Sequence, residues 1–356
     1  MTRSDDPARS DGADRPDDPT RPDDPARSTT GDTETTVSRR RALLAGTAGI
    51  TTVGAVGLAY TDGGTREEAT EPAPLESFGP ETGSDLALIA HRGFAGENPE
   101  NTVAAVEAAA GRDVPDARRA DLVEVDAVAT ADGDVVVFHD DRLAGRAGGA
   151  LGLTDAEGLV RETDTETVTS AEVLGSGETV PLLRDLLDVL PADVGVNVEL
   201  KNPGHGDLRP DEKLPEAELT ERTAVWRPFV ERVCSVLDDH DNEVLLSSFY
   251  EAALAASREV SSYPVAPILS ESVEDGLAIA RAYDAEAIHP PIGLVGGTPF
   301  SGTADDAGVD LVETAHAEDR DVNVWTVETW YQARWLAAVG VDGIIADYAG
   351  LLGGSS

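Results

Sequence analysis

Two histidines directly follow apolar stretches of strand length. His91 comes after LALIA and precedes Arg92 and Gly93, and His139 comes after DVVVF and precedes Asp140. Imidazole exchanges its proton near neutral pH, so two such side chains at one end of a fold can supply a base and an acid. Arg92 offers a planar guanidinium that binds an oxyanion through two hydrogen bonds, and Gly93 would let the backbone approach it. These residues predict proton transfer beside a bound anion.

Carboxylates interrupt two other apolar stretches. Glu124 and Asp126 lie two residues apart in DLVEVDAV, and Glu199 stands between Asn197 and Lys201 in VNVELK. Residues two apart share one face of a strand, so these three carboxylates converge if the two strands end at the same edge. Hard oxygen ligands of this kind suit Ca²⁺ or Mg²⁺. The alternative is that Glu199 pairs with Lys201 while the other two carboxylates face solvent.

The elements that must position these residues alternate along the chain. Helical patterns, such as those over 101–110, 182–190, 272–283 and 329–339, separate the apolar stretches. Eight such units favour an α/β fold, a (β/α)8 TIM barrel, whose functional residues lie at the carboxyl ends of the strands. An open doubly wound sheet is the alternative, but the chain has neither a G-x-G-x-x-G fingerprint nor a P-loop lysine. Strands are expected at 86–90, 121–128, 194–200, 243–248, 264–269, 286–289, 322–327 and 342–346.

One connection is too long for an ordinary loop between a strand and a helix. Residues 134–141 predict a short ninth strand, and residues 142–180 are rich in Gly, Thr and Glu. We therefore expect residues 142–180 to form an insertion after the second strand region, over the mouth of the barrel.

The composition limits the partners of the protein. The formal net charge of the 356 residues is −41, and the chain has only two lysines, Lys201 and Lys213. Such a surface repels a phosphate backbone, which argues against nucleic-acid binding. Abundant acid with few lysines resembles the proteins of extreme halophiles, and at about 1 M salt a screening length of ~3 Å would let an anionic substrate approach. Cys234, the single cysteine, lies on an apolar helical face and is expected in the core.

The amino-terminal region has the composition of a leader. Residues 1–37 contain few large apolar side chains and are expected to be disordered. Residues 38–60 begin SRRR and continue as an uncharged run, which resembles a twin-arginine export signal that is either cleaved or retained as an anchor. Residues 61–84 read as a linker, so the barrel should occupy residues 85–352. We expect export through the twin-arginine route, to the outside of the cell or the outer face of its membrane.

Five segments, in order, resemble the glycerophosphodiester phosphodiesterase family over residues 85–350. They are AHRG with ENT shortly after it, EVDAVATADGDVVVFHDDRL, VNVELK, LSSF, and VNVWTVETWYQARWLAAVGVDGIIADY. With the acidic composition and the leader, the resemblance is to an exported, haloarchaeal-type member. It implies a (β/α)8 barrel and metal-dependent hydrolysis of glycerophosphodiesters to glycerol phosphate and an alcohol.

The resemblance also implies a role for each motif residue. The divalent metal, Ca²⁺ or Mg²⁺, would be bound by Glu124, Asp126 and Glu199. The catalytic acid and base would be His91 and His139.

Other residues near these motifs complete the predicted site. By the same resemblance, Arg92 and Lys201 would hold the phosphate. Trp325 either walls the glycerol pocket or packs as an ordinary core residue. Glu100 either contacts the metal site or caps the first helix, and Asp140 either orients the neighbouring histidine or starts a turn.

Two other functions remain open. A phosphodiesterase of the same fold could attack lyso- or intact phospholipids in the manner of a phospholipase D, which a hydrophobic surface on the 142–180 insertion would favour. A non-catalytic ligand-binding surface protein of the same fold is the second alternative, although both histidines and all three carboxylates argue against it. The expected partner is a small glycerophosphodiester, with membrane association through the amino-terminal segment.

Overall fold

The computed structural model describes residues 86–145, 153–204, 208–302 and 308–352. The predicted tail (1–37), export signal (38–60) and linker (61–84) lie outside these ranges and stay predictions. Within the described ranges, no helix combines the length and the apolar composition needed to cross a membrane.

Eight parallel strands form a barrel, and this confirms the predicted fold class. They are β1 (Ala87–Ala90), β2 (Leu122–Ala129), β4 (Gly195–Leu200), β5 (Val244–Ser248), β6 (Val265–Pro267), β7 (Ala287–Ile288), β8 (Asp321–Val327) and β9 (Gly343–Ala346), while β3 (Val135–Val137) pairs antiparallel with β2. Side by side, the order is β6-β5-β4-β2-β1-β9-β8-β7. A parallel bridge between Ile268 and His289 joins the two ends of this order.

Each connection from one parallel strand to the next contains a helix, as parallel pairing requires. The helices are α1 (Val103–Ala110), α2 (Thr165–Ser170), α3 (Leu183–Val189), α4 (Glu216–Leu237), α5 (Glu251–Val260), α6 (Val273–Ala282), α7 (Leu311–Ala317) and α8 (Trp330–Val339), of which α2 belongs to the insertion. Side-chain caps define several starts. Thr102, rather than Glu100, caps α1 by accepting from the backbone nitrogen of Ala105 (3.2 Å), and Thr329 forms a capping box with Gln332 at α8.

The core lies between the barrel and its helices. Val123, Val125 and Val198 point outward from the strands and are fully buried against the helix layer, and each such side chain contributes about 1.5–3 kcal/mol through burial. Cys234 on α4 is buried and unpaired, as predicted. The alternate positions of the same strands point into the barrel, and these positions carry the polar residues.

Strand register brings the polar positions of β2 and β4 side by side. Glu124 pairs with Asn197, and Asp126 pairs with Glu199. Each pair occupies one level of the barrel interior because successive side chains alternate between the two faces of a strand. Two neighbouring strands therefore place their acidic residues at the same end of the barrel.

The described part of the 142–180 insertion has a small hydrophobic cluster of its own. Val160 and Val168 pack there with Val136 of β3 and Phe138. Arg142 and Arg161 line a cavity beside the insertion together with Asp140. The insertion thus borders the strand ends on the side of His139.

Helix α8 carries an exposed aromatic cluster. Trp330, Tyr331 and Trp335 are 61%, 47% and 37% exposed, and the ring of Phe300 packs edge-on against Tyr331 with centroids 5.7 Å apart. The helix begins three residues after β8 ends, so this cluster lies near the carboxyl end of the barrel.

Candidate active site

The turn at His91, Arg92 and Gly93 ends β1. Arg92 has a φ of 51° and Gly93 a φ of 77°, both in the left-handed region. A Cβ on Gly93 would lie 2.6 Å from the Cβ of Ala105, so no larger residue fits where the turn packs against α1. The turn aims the backbone amide of Arg92 at Glu124, whose Oε2 accepts its hydrogen bond at 2.9 Å.

Each predicted catalytic histidine is held by an aspartate. His91 Nδ1 lies 2.6 Å from Asp347 Oδ1, and His139 Nδ1 lies 2.5 Å from Asp140 Oδ1. A carboxylate at Nδ1 keeps the hydrogen there, so that Nε2 is the nitrogen left to exchange a proton. The Asp140 contact matches the orienting alternative predicted from the sequence.

The three predicted metal ligands converge. Glu124, Asp126 and Glu199 each offer an oxygen, and these oxygens lie within 4.8 Å of one another. The residues are only 3%, 1% and 9% exposed. The alternative in which Glu124 and Asp126 face solvent is therefore wrong, although Glu199 does pair with Lys201.

Two cations link these carboxylates. Arg92 Nη1 donates to Glu100 Oε1 (3.0 Å), and its Nε lies 3.2 Å from Asp126 Oδ2. Lys201 Nζ donates to Glu199 Oε1 (2.6 Å) and lies 3.1 Å from Asp126 Oδ1. Burial would lower the pKa of Arg92 and of Lys201, but the adjacent carboxylates outweigh it and raise both above their ordinary values. Both side chains are therefore charged throughout the neutral pH range.

The charges of this group do not balance. Two cations stand against four acidic side chains, so the group carries a surplus of two negative charges when all four carboxyl groups are ionised. Burial, together with the charge of Asp126, raises the pKa of Glu124 to about 8. Burial would also raise the pKa of Asp126, but Lys201 and Arg92 hold it well below its ordinary value. Glu124 Oε1 is buried with no hydrogen-bond partner in the described part of the chain. A divalent cation fits both the missing charge and the unpartnered oxygen.

One cavity at the carboxyl ends of the strands brings most of the predicted residues together. We call the half formed by β1 to β4 the charged wall; it comprises His91, Arg92, Glu124, His139, Asn197, Glu199 and Lys201. We call the half formed by β5 to β9 the apolar wall; it comprises Phe249, Ile268, His289, Trp325, Thr326 and Ile345. Asp126 lies behind the charged wall, in contact with its two cations.

Trp325 belongs to the cavity rather than to the outer core. Its indole Nε1 donates to the backbone oxygen of His289 (2.9 Å), and its ring meets Phe249 edge-on with centroids 5.6 Å apart. Contact with glycerol stays a prediction for this residue.

The sequence did not single out Asp347, His289 or Asn101 as residues of the site. Asp347 follows the apolar stretch GIIA, which is the same signal that singled out Glu199. His289 precedes two prolines at a strand end. Asn101 donates Nδ2 to Asp126 Oδ2 (2.7 Å), and its own Oδ1 accepts from the backbone nitrogen of Asp126 (3.3 Å). This asparagine lies within the ENT segment, which gave no indication of its partner.

Comparison with known proteins decides the family. The glycerophosphoryl diester phosphodiesterase family matches residues 91–351, which is most of the chain and all of the barrel beyond β1. The chain belongs to this family. It is therefore a phosphoric diester hydrolase, of a family that uses a divalent metal.

Individual relatives agree with this family. The chain is 26% identical to a glycerophosphodiester phosphodiesterase of Bacillus altitudinis over 73% of its own length and 94% of the relative. It is 31% identical to a Mycobacterium tuberculosis protein named probable glycerophosphodiester phosphodiesterase 2, over 74% of its own length and 88% of the relative. The barrel resembles that of an Oleispira antarctica phosphodiesterase solved with sn-glycerol-3-phosphate, with a TM-score of 0.58, 23% identity, and coverage of 78% of this chain and 96% of that one.

Proposed function

We propose that this protein hydrolyses glycerophosphodiesters to glycerol phosphate and an alcohol, with a divalent cation at Glu124, Asp126 and Glu199 and with His91 and His139 as acid and base. The observation that carries the proposal is the buried carboxylate cluster, whose oxygens lie within 4.8 Å of one another. Such a cluster is stable only when its surplus charge is compensated. A bound cation would supply charge neutralisation at the phosphate and so favour attack on phosphorus.

The cations of the chain hold the phosphodiester in place. Arg92 and Lys201 line the cavity and keep their charge because the carboxylates behind them raise the pKa of each. Each has donors beyond those that contact carboxylates, and these can bind the non-bridging oxygens. The same two side chains thus join the substrate to the carboxylate cluster.

The two histidines move the protons. Because Asp347 and Asp140 hold the Nδ1 atoms, Nε2 of one histidine can take a proton from the nucleophile and Nε2 of the other can give one to the leaving oxygen. The glycerol hydroxyl next to the phosphoester is our preferred nucleophile. A group already held by the pocket reaches an effective molarity of up to about 10⁵ M or more. Attack of this hydroxyl on phosphorus forms a cyclic phosphate and expels the alcohol, which takes the proton from the second histidine. Water then opens the cyclic phosphate with the histidine roles exchanged.

A substrate panel with and without metal tests this function. Purified protein is assayed at high salt on glycerophosphodiesters of several alcohols, after treatment with chelator and after return of Ca²⁺, Mg²⁺ or Mn²⁺. Hydrolysis should stop with chelator and return with metal, and Glu124→Gln should lose at least about 100-fold in rate. The exposed Glu313→Gln is the matched control and should stay within about twofold. Full activity in a demetallated sample would contradict the metal proposal.

Hydrolysis of lysophospholipids is a second candidate, favoured by the aromatic cluster on α8. Trp and Tyr side chains concentrate where proteins meet the lipid–water interface, and this cluster lies near the carboxyl end of the barrel. On the described part of the insertion, Leu174 is exposed by itself (52%) and forms no such surface. Lysophospholipids added to the same panel separate the two substrates.

We also propose that the chain is exported through the twin-arginine route and works in concentrated salt. The support is the SRRR segment at 38–41, the uncharged run after it and the net charge of −41. Cell fractionation tests this route with the wild type and with a variant in which Arg39 and Arg40 are both replaced by Lys. The variant is expected to stay in the cytoplasm.

A further inference from the structure

His289 is an ionisable side chain in apolar surroundings. It lies at the end of β7, is completely buried and lines the cavity beside Phe249, Ile268 and Ile345. Burial lowers its pKa to about 3, so the ring is neutral near neutral pH. A neutral imidazole has one nitrogen that donates and one that accepts.

Asn323 determines which nitrogen carries the hydrogen. Its Nδ2 lies 3.2 Å from His289 Nε2. An amide nitrogen can only donate, so Nε2 accepts and the hydrogen lies on Nδ1. The side chain of Asn323 is buried and packs directly against Gly343, where a Cβ would overlap its Oδ1. The indole of Trp325 fixes the histidine backbone from the other side through the bond to its carbonyl oxygen.

The Nδ1 atom has no hydrogen-bond partner in the described part of the chain. Buried donors without partners are rare in native proteins, because each loses its bond to water and gains nothing in return. The charged wall supplies no acceptor to His289, and the apolar wall is mostly hydrocarbon and aromatic ring. The cavity itself is the place from which an acceptor can come.

We propose that His289 Nδ1–H donates a hydrogen bond to the terminal hydroxyl of the glycerol moiety and thereby selects glycerophosphodiesters over phosphodiesters that lack this hydroxyl. The inference rests on the proposed function, which puts the phosphate at Arg92 and Lys201 on the charged wall. The glycerol carbons then extend toward Phe249 and Trp325, and the terminal hydroxyl is the polar group of the glycerol farthest from phosphorus. His289 is in this account a residue of substrate recognition, with Asn323 as its positioning residue.

Two substrates isolate this hydroxyl. One is a glycerophosphodiester, and the other is the 1,2-propanediol phosphodiester of the same alcohol, which keeps the hydroxyl next to the phosphoester and loses only the terminal one. Both therefore retain the internal nucleophile. The wild type should prefer the first substrate by at least about 10-fold in kcat/KM, because the second substrate lacks the terminal hydroxyl and leaves a buried donor unpaired.

Three substitutions of His289 separate recognition from packing. His289→Asn returns an amide nitrogen near the position of Nδ1 and should keep most of the preference. His289→Gln returns its amide near the position of Nε2, and His289→Phe keeps a ring without any donor, so both should reduce the preference to within about threefold of none. A purely structural role would lower kcat/KM for both substrates equally and leave the ratio unchanged in all three variants.

That unchanged ratio, or a wild type with no preference, would overturn the inference. If His289→Phe does not fold, Asn323→Leu gives the second measurement, because it removes the group that fixes the tautomer, and the preference should again fall. Failure of the proposed function is a different result, in which the wild type hydrolyses neither substrate in the presence of metal.

Discussion

The two walls of the cavity differ in how they stabilise their polar groups. On the charged wall every ionisable side chain contacts a partner, and Asp126 behind it reaches both Arg92 and Lys201. On the apolar wall His289 is the ionisable side chain, and burial keeps it neutral instead of pairing it. The charged wall suits a reaction at an anionic phosphodiester, whereas the apolar wall suits recognition of a neutral moiety.

This difference determines how each wall responds to substitution. Removing one partner of a buried ion pair leaves a charge that costs about 3–5 kcal/mol, so replacing a carboxylate or cation of the charged wall should lower stability as well as activity. Removing a ring from the apolar wall loses packing and contact with substrate but leaves no charge behind. Effects on turnover should therefore concentrate on one side of the cavity and effects on binding on the other.

The largest effect is expected for the two histidines of the charged wall. His91→Ala and His139→Ala should each lower kcat by roughly 10²–10⁴, because each removes one proton transfer. His240→Ala is the control, since His240 pairs with Asp188 at the surface (3.2 Å) and away from the cavity. Steady-state kinetics at saturating metal measures the loss. More than about a third of wild-type turnover in either variant would remove that histidine from the mechanism.

A smaller effect is expected for the aspartate behind His91. Asp347→Asn keeps the shape but no longer stabilises the protonated ring, and it should lower kcat by about 10- to 100-fold with little change in KM. The control is Asp342→Asn, because Asp342 Oδ2 lies 2.8 Å from Nε2 of His316 in an aspartate–histidine contact outside the cavity. If both variants lose activity equally, the effect of Asp347 is one of stability, which thermal unfolding would reveal.

The smallest effect is expected on the apolar wall. Trp325→Leu removes the ring that packs against Phe249 and the bond to the His289 carbonyl. KM should rise about 2- to 10-fold while kcat stays close to that of the wild type, since an aromatic contact is worth about 0.5–1.5 kcal/mol. A loss in kcat like that of His91→Ala would contradict the assignment of turnover to the charged wall and of substrate binding to the apolar wall.

The sequence predicts the charged wall better than the apolar one. Glu124, Asp126 and Glu199 stand out because burying a carboxylate inside an apolar strand is costly unless it is paired or bound. Strand periodicity then puts all three on one face. The eight strands are predicted from apolar stretches that alternate with helical patterns, although β7 was expected over 286–289 and spans only Ala287–Ile288. Pro290 and Pro291 end it, because proline has no amide hydrogen for the ladder.

Apart from Trp325, the apolar wall could not be predicted, because its residues are ordinary in isolation. Phe249, Ile268 and Ile345 are core residues by type, and only the closed barrel turns them toward one cavity. Asp347 has the same difficulty, since its contact with His91 depends on the pairing of β1 with β9. Periodicity describes neighbours along one strand, whereas these contacts join strands from opposite ends of the domain.

The contact between His91 and Asp347 has a consequence for the synthesis of the protein. The two residues are 256 positions apart, so His91 is translated long before Asp347. At about 5–20 residues per second the interval is on the order of 10–50 seconds. Throughout that time β1 also lacks β9 as a neighbour and the ring of strands stays open. A partly translated chain is thus unable to complete its active site, and hydrolysis begins only after the last strand has docked.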